Sequence, residues 1–320
     1  MENRIDLIKA QTIGVEVEMN NITREKASKV AAKFFGTGRY EYTGYSDGYS
    51  TWSAWDTSGR KWKFQKDVSI SGPDDEKCEM VTPILVYDDI YMLQGLVREL
   101  RKAGARSDYS RCCGVHVHIG ADGHDSQSLR NLSNLMASHE NLLIDAINIS
   151  PVRQDYCKKS DPRYIDRLNK TKPRDLSKFA DVWYESQGCS EYRNHHYNNS
   201  RYHMLNLHAV FTKGTVEFRC FQFDAPHDGK RNGIHAGQLK AFIQFCLAIS
   251  AYAKTVRYAS PKVPVASDEN PKYVMRFWLK SMGMVGDEFK TAREYFCEKL
   301  EGNSDCRTGN RENCVHRNVA

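Results

Sequence analysis

Apolar and polar residues alternate in several short runs along the chain. The clearest run is residues 14–18, where Val15 and Val17 alternate with Glu16 and Glu18. Successive side chains on a strand point to opposite faces of its sheet. This run therefore predicts a strand with one apolar face and one acidic face.

Segments with apolar residues at helical spacing lie between the alternating runs. Leu129, Leu132 and Leu135 recur in this way and predict one long helix over residues 125–148. Further helices are predicted at 23–35, 88–103, around 176–186 and two or three times within 233–300, with strands at 12–20, 78–85 and 112–120 and hairpins within 40–70 and 202–223. Strands joined by hairpins and long helices, without regular βαβ alternation, predict an α+β fold with an antiparallel sheet.

Length and composition fit one large domain. The chain has 320 residues, of which 40% are hydrophobic, enough for a substantial core. We expect a single domain over residues 1–300, in which residues 150–200 form an irregular, aromatic-rich insertion that sets substrate specificity. Residues 301–320 are expected to be a C-terminal tail.

The net charge of +6 is mild and spread along the chain, so a dedicated nucleic-acid-binding function is disfavoured. The first ten residues carry four charges and no apolar core, and the most apolar helical segment contains polar residues. A cytoplasmic protein with no membrane span is therefore expected. Scattered cysteines favour free thiols, although Cys297, Cys306, Cys314 and His316 leave a zinc site open.

Four alternating segments each carry functional side chains two residues apart. The pairs are Glu16 with Glu18, Asp67 with Ser69, His116 with His118, and Glu217 with Arg219. If each segment is a strand, both members of a pair point to the same face. Such pairs are often only the solvated face of a sheet, but carboxylates, imidazoles and a guanidinium together are more typical of a functional site.

The residue types favour hard divalent cations and a phosphoryl group. Mg²⁺ and Mn²⁺ prefer oxygen ligands, and Mn²⁺ also accepts an imidazole. A guanidinium beside such ions, here Arg219, suits the oxygens of a phosphoryl group. Glu79, which begins a further predicted strand, adds another carboxylate.

These motifs resemble those of glutamine synthetases. Residues 114–120, Gly-Val-His-Val-His-Ile-Gly, resemble the synthetase Gly-Met-His-x-His segment, and residues 14–18 and 215–219 resemble its Glu-x-Glu and Glu-x-Arg strands. The order of the motifs, with Arg201-Tyr-x-x-Leu-Asn206 before the last one, is more similar to the amidoligase branch, which shares its fold with glutamate–cysteine ligases. The resemblance spans about residues 14–223.

The resemblance implies a glutamine-synthetase-like sheet lining a metal and nucleotide site. It also implies an ATP-dependent carboxylate–amine ligase that forms a peptide or isopeptide bond through an acyl phosphate. Mg²⁺ or Mn²⁺ would be bound by Glu16, Glu18, Glu79, His116 and Glu217. His118, Asn206 and Arg201 would contact the nucleotide, and the catalytic residues would be Arg219, Arg201, Asp67 and Ser69.

The sequence departs from the synthetase pattern after Glu79. A second metal-binding glutamate is expected shortly after it, and residues 80–90 offer only Asp88 and Asp89. Either one ion is held differently, or Asp67 or a residue upstream of Glu79 contributes. There is also no Gly-x-x-x-x-Gly-Lys-Ser/Thr loop, so nucleotide binding cannot depend on a P-loop.

The substrates would be a carboxylate and an amine on a small molecule, a peptide or a protein. Two other functions remain open. A metal-dependent hydrolase or oxygenase could use the two histidines with one carboxylate, and a non-enzymatic module could bind a nucleotide.

Overall fold

The computed structural model describes residues 4–225, 233–264 and 270–305. Its strands are β1 (Ile13–Met19), β2 (Tyr40–Tyr42), β3 (Trp52–Trp55), β4 (Lys61–Gln65), β5 (Cys78–Val81), β6 (Val115–Gly120), β7 (Leu205–Asn206) and β8 (Thr215–Phe221). They form one eight-stranded sheet in the order β2-β3-β4-β5-β1-β6-β8-β7. Each neighbouring pair is antiparallel, which confirms the predicted mixture of helices with an antiparallel sheet.

The helices pack around this sheet and against one another. They are α1 (Arg4–Lys9), α2 (Arg24–Phe34), α3 (Gly44–Asp47), α4 (Ile90–Lys102), α5 (Ser126–Ala137), α6 (Glu140–Ile147), α7 (Pro151–Gln154), α8 (Pro162–Thr171), α9 (Leu176–Ser186), α10 (His208–Lys213), α11 (Ala236–Thr255), α12 (Pro271–Ser281) and α13 (Lys290–Glu298). Helix α2 packs on β3 and β4, and α11 packs on β6, α4 and α5. Within the described ranges, no helix is both long and apolar enough to cross a lipid bilayer.

The alternation in β1, β4 and β6 separates an apolar face from a polar one. Val15 and Val17 of β1, with Val117 of β6, are fully buried in the main core. The polar residues between them point to the opposite face. This face carries the candidate site.

The long helix predicted for residues 125–148 is two helices, α5 and α6. The hydroxyl of Ser138 and Nδ1 of His139 both hydrogen-bond the carbonyl oxygen of Leu135. Side chains that bond a carbonyl in the last turn compete with continuation of the helix. Apolar residues continue at helical spacing across the break, so the spacing did not reveal it.

The predicted hairpin over residues 202–223 is wrong in its first half. Only Leu205 and Asn206 pair with β8, and α10 follows directly. The side-chain oxygen of Asn206 accepts a hydrogen bond from the backbone N–H of His208, which diverts the chain from strand into helix. Gly214 then ends α10 in the left-handed conformation, at φ 68°.

The segment 150–200 is more helical than the sequence suggested, because α7 and α8 precede the predicted α9. Asp161 caps α8 by accepting from the N–H of Arg163, and Pro162 occupies the first turn. Tyr164 and Leu168 are the buried residues of α8. Because α8 has so few apolar residues, its helical periodicity is weak, and the sequence did not predict it.

The buried ring of Phe245 in α11 joins the helices behind the sheet. Its centroid lies 5.3 Å from that of Trp278 and 5.1 Å from that of Phe296. We expect Phe245→Ala to lower the free energy of unfolding by about 3–5 kcal/mol, because it leaves a cavity among these rings. Urea denaturation would measure this loss. Phe277→Ala, a truncation of a ring that is 64% exposed, is the matched control, and an equal loss in both variants would contradict the assignment of the core.

Candidate metal and nucleotide site

The polar face of the sheet brings functional side chains from six neighbouring strands into cross-strand register. Glu16 lies opposite His116, and Glu18 lies opposite Glu79. On the flanks, the paired positions are His118 with Glu217, Asn206 with Glu217, and Gln65 with Glu79. Directly opposed residues share a face, and their Cβ atoms lie about 5 Å apart. The register therefore concentrates these groups in one patch.

Glu16 lies between the two imidazoles of β6. Its Oε2 is 2.9 Å from Nδ1 of His116, and its Oε1 is 3.2 Å from Nε2 of His118. The ammonium of Lys213 is 3.6 Å from Oε1. Burial alone would raise the pKa of Glu16, but the charge of His118 and the hydrogen bonds from both histidines hold it well below its ordinary value. Glu16 is therefore ionised at neutral pH.

Glu217 is fixed by two donors. Nδ2 of Asn206 donates to Oε2 at 2.6 Å, and Nη1 of Arg219 donates to Oε1 at 2.6 Å. Burial opposes ionisation, but the charges of His118 and Arg219 lower the pKa of Glu217 to about 2. The same bond fixes the guanidinium of Arg219, which is only 6% exposed.

Glu79 behaves in the opposite way. Burial and the negative charges of Glu16, Glu18 and Asp67 raise its pKa well above the ordinary value, while Nε2 of Gln65 donates to its Oε2 at 2.7 Å. Without a cation, Glu79 holds its proton to a higher pH than Glu16 and Glu217 do. Separate pKa values within one carboxylate cluster are typical of functional sites.

Among the described residues, three overlapping groups could each hold a cation. They are Glu16 with Glu79 and His116, Glu16 with His118 and Glu217, and Glu18 with Asp67 and Glu79, and the possible ligand atoms in each group lie within 4.8 Å of one another. Every group has at least two carboxylates and at most one imidazole. This donor set fits Mg²⁺ or Mn²⁺ better than a softer metal.

Asp67 and Ser69 do not lie on a strand, contrary to the prediction. They lie in the turn that follows β4, where Oδ1 of Asp67 accepts from the backbone N–H and the hydroxyl of Ser69, both at 2.7 Å. A side chain that bonds its own backbone two residues later favours a turn over a strand. Asp67 still reaches the cluster, while Ser69 is exposed.

Arg201 contacts two tyrosines, with its guanidinium carbon 5.4 Å from the ring centroid of Tyr197 and 5.7 Å from that of Tyr202. The guanidinium carbon of Arg219 is 5.8 Å from the same Tyr202 ring. Tyr202 thus contacts both arginines and can keep them apart. The side-chain amide of Asn206 donates a hydrogen bond to Glu217, so in this structure Asn206 supports a carboxylate of the cluster.

Three residues that contact carboxylates of the cluster were not predicted from the sequence. Gln65 continues the polar side of β4 after Lys61 and Lys63, and this alternation could have identified it. Lys213 lies at the end of α10, which the sequence did not predict. Arg153 reaches the cluster from α7 and left no local signal. Of the possible C-terminal zinc ligands, Cys297 is on α13, and Cys306, Cys314 and His316 lie outside the described residues.

A sequence model of a protein family, described as "Putative amidoligase enzyme", matches residues 9–250. The chain belongs to this amidoligase family. The match covers every strand of the sheet and every residue of the cluster. Membership supports an enzyme of the ligase class that forms amide bonds. Among curated proteins, none matches the amidoligase chain.

One solved structure similar to this amidoligase is a bifunctional glutathione synthetase from Pasteurella multocida. The two align with a TM-score of 0.47 at 13% identity, over 93% of this chain and 48% of the other. The amidoligase chain thus spans about half the length of that structure.

The opposite pKa shifts of Glu79 and Glu217 predict opposite effects of pH on the stability of the metal-free amidoligase. Glu217 has a lowered pKa, so its stabilising effect is present above its unfolded pKa and is lost as pH falls toward 2. Glu217→Gln should therefore cost on the order of 3 kcal/mol at neutral pH. Glu79 has a raised pKa, so wild-type stability should fall as pH rises through that pKa, and Glu79→Gln should remove the fall.

Denaturant unfolding in chelator across pH 4–9 would measure both effects. Glu217→Gln should be less stable than wild type at neutral pH, and Glu79→Gln should be the more stable protein at alkaline pH. Parallel curves for the two variants would contradict the electrostatics described here.

Proposed function

We propose that the protein is an ATP-dependent carboxylate–amine ligase that forms an amide through an acyl phosphate. The observation that carries this proposal is the position of Arg219. A buried guanidinium donates a hydrogen bond to Glu217, a member of one of the three overlapping groups that could hold a cation. Such a combination suits the charge that develops when a phosphoryl group is transferred between oxygens.

The residues that would hold Mg²⁺ or Mn²⁺ are Glu16, Glu18, Glu79, His116 and Glu217, with Asp67 taking the position of the missing second glutamate after Glu79. The bound ions would neutralise phosphate oxygens during transfer. His118 lies beside Glu16 and Glu217, where it can contact nucleotide phosphates. Arg201, half-buried near Arg219, would contact the phosphoryl group or the substrate carboxylate.

The chemistry requires activation of the carboxylate. An amine cannot displace oxide from a carboxylate in neutral water. A carboxylate oxygen would attack the γ-phosphorus of ATP, and ADP would leave. The amine would then attack the acyl carbon, losing a proton as phosphate departs with the C–O bonding electrons. Arg219 would hold the transferred oxygens in a fixed orientation through both steps.

The rival functions explain less of the site. A hydrolase or oxygenase built on two histidines and one carboxylate would place both imidazoles on one ion. Here, His116 and His118 belong to different groups, each with two carboxylates. A non-enzymatic nucleotide-binding module would give no reason for the fixed orientation of Arg219.

The acceptor could be a small molecule, a peptide or a protein, and residues 188–202 border the region where it would enter. Tyr197 and Arg201 contact each other there, and the hydroxyl of Tyr197 lies 2.7 Å from that of Tyr49, which precedes β3. This contact joins segments from the two sides of the site. We expect the specificity of the ligase to depend on this border.

The first functional test concerns ATP. Incubation with Mg²⁺ or Mn²⁺, a carboxylate and an amine should release ADP and phosphate, because the γ-phosphoryl group is transferred. Chelator should stop the reaction, since the carboxylate cluster cannot by itself neutralise the phosphate oxygens. Chromatography of the nucleotides gives the products. AMP with pyrophosphate would exclude the acyl phosphate, and turnover in chelator would exclude the metal assignment.

The second functional test is Arg219→Lys. Lysine keeps the charge but cannot hold planar oxygens through two fixed N–H groups. We expect carboxylate-dependent ADP release to fall about a hundredfold, with folding and Mn²⁺ affinity nearly unchanged by calorimetry. Arg39→Lys, on the exposed edge of the sheet, is the control, because side-chain exposure of Arg39 is 61%. Near-native ADP release by Arg219→Lys would remove the main reason for preferring a ligase.

A further inference from the structure

The histidine row of β6 ends at a glycine. Gly114 is two residues before His116 and four before His118, so a side chain at position 114 would point to the same polar face. A Cβ placed there would meet the Arg153 guanidinium, with Nη1 and Nη2 both at 2.2 Å and Cζ at 2.4 Å. The guanidinium of Arg153, from α7, thus takes the place of a third side chain in the row.

From this position, Arg153 contacts the strands on both sides of β6. Its Nη1 is 3.8 Å from Oε2 of Glu18 on β1. Its Nη2 donates to the carbonyl oxygen of Arg219 on β8 at 3.2 Å. The N–H of Gly114 donates to the same Glu18 oxygen at 2.6 Å. One guanidinium therefore touches a candidate metal ligand and the backbone of the proposed catalytic arginine.

The contact with β8 falls at a bulge. Val117 pairs with Phe218 and Val115 pairs with Phe221, so two residues of β8, Arg219 and Cys220, lie opposite His116 alone. A bulge locally disrupts the hydrogen bonds between strands and redirects the side chains beside it. Arg153 provides a hydrogen bond at this irregular point, where the direction of the Arg219 side chain is set.

Stability alone does not account for this arginine. Arg153 is 6% exposed, and its Nε has no hydrogen-bond partner among the described residues. Burying a guanidinium with incomplete hydrogen bonding is costly. We attribute the burial of Arg153 to a role in orienting the site, because its two contacts are with Glu18 and with the backbone of Arg219.

We propose that Arg153 is a positioning residue of the site: by filling the space above Gly114, it holds Glu18 toward the cation groups and holds the bulge that aims Arg219. The inference rests on the proposed function. In this role, Arg153 links the segment 150–200 to the sheet. Gly114 is needed because any larger residue would occupy the space of the Arg153 guanidinium.

The direction in which cation affinity changes when Arg153 is removed distinguishes a positioning role from a purely electrostatic one. If Arg153 acted only as a positive charge near the cluster, its removal would relieve repulsion and tighten cation binding. If it orients Glu18, its removal weakens binding, because partners of metal ligands typically contribute about 10–100-fold in affinity or activity. We expect weakening.

The experiment uses Arg153→Ala, Arg153→Lys and Gly114→Ala in the full chain. The readouts are Mn²⁺ affinity by calorimetry, the midpoint of denaturant unfolding, and ADP release. We expect Mn²⁺ affinity to fall about tenfold or more in Arg153→Ala, with partial recovery when millimolar guanidinium ion is added. Lysine should not restore it, because one ammonium cannot make both contacts. Arg163→Ala is the control, with the Arg163 side chain 81% exposed in the same segment.

Gly114→Ala keeps the Arg153 side chain but displaces it, since the three atoms nearest to the added methyl group all belong to its guanidinium. It should reproduce the loss without guanidinium rescue, and the double variant Arg153→Ala/Gly114→Ala should be no worse than either single variant. Because Gly114→Ala leaves every charge in place, it also covers the case in which Arg153→Ala fails to fold.

Unchanged or tighter Mn²⁺ binding in folded Arg153→Ala and Gly114→Ala would overturn the positioning role. Weaker Mn²⁺ binding in a protein that never releases ADP would support Arg153 and overturn the ligase. A wild-type protein that binds no Mn²⁺ would overturn both proposals.

Discussion

The repulsion between carboxylates on one face of the sheet is the constraint on which the rest of the site depends. Glu16, Glu18, Glu79 and Glu217 lie close together and largely out of water. Charges so placed must be balanced by cations or protons, or the fold would not tolerate them. The neighbours supply this balance unequally. Two imidazoles, a lysine and one arginine lower the pKa of Glu16 or Glu217, whereas burial and the nearby carboxylates raise the pKa of Glu79.

The sheet meets this constraint by dividing its two faces. Valines of β1 and β6 anchor the strands to the helical side, while the intervening positions present charged groups without moving the backbone. Antiparallel register then brings side chains from distant parts of the chain opposite one another, as it does for Glu18 with Glu79 and for His118 with Glu217. Helix α11 behind β6 gives the face a rigid support. A site built on strands in this way can hold its groups more precisely than one built on loops.

The sequence predicted the parts of this arrangement that depend on a period of two. Glu16, Glu18, His116 and Glu217 were found because each alternates with a buried apolar residue, and register follows once one face is buried. The same period misled for Asp67, whose spacing from Ser69 suggested a strand although the segment is a turn stabilised by the Asp67 carboxylate. Arg153 had no period to identify it, because it comes from a four-residue helix whose position depends on tertiary packing. Gly114 was visible as a motif residue, but its purpose depends on the guanidinium above it.

The raised pKa of Glu79 has a consequence for how the site would fill with cations. Two of the three candidate cation groups contain this residue, so a cation that enters either group competes with hydrogen ions for the same oxygens. Cation occupancy of these two groups would therefore fall as the pH is lowered. Conversely, a cation that binds there would displace the proton of Glu79, so that metal binding would release hydrogen ions without any change in the backbone of the sheet.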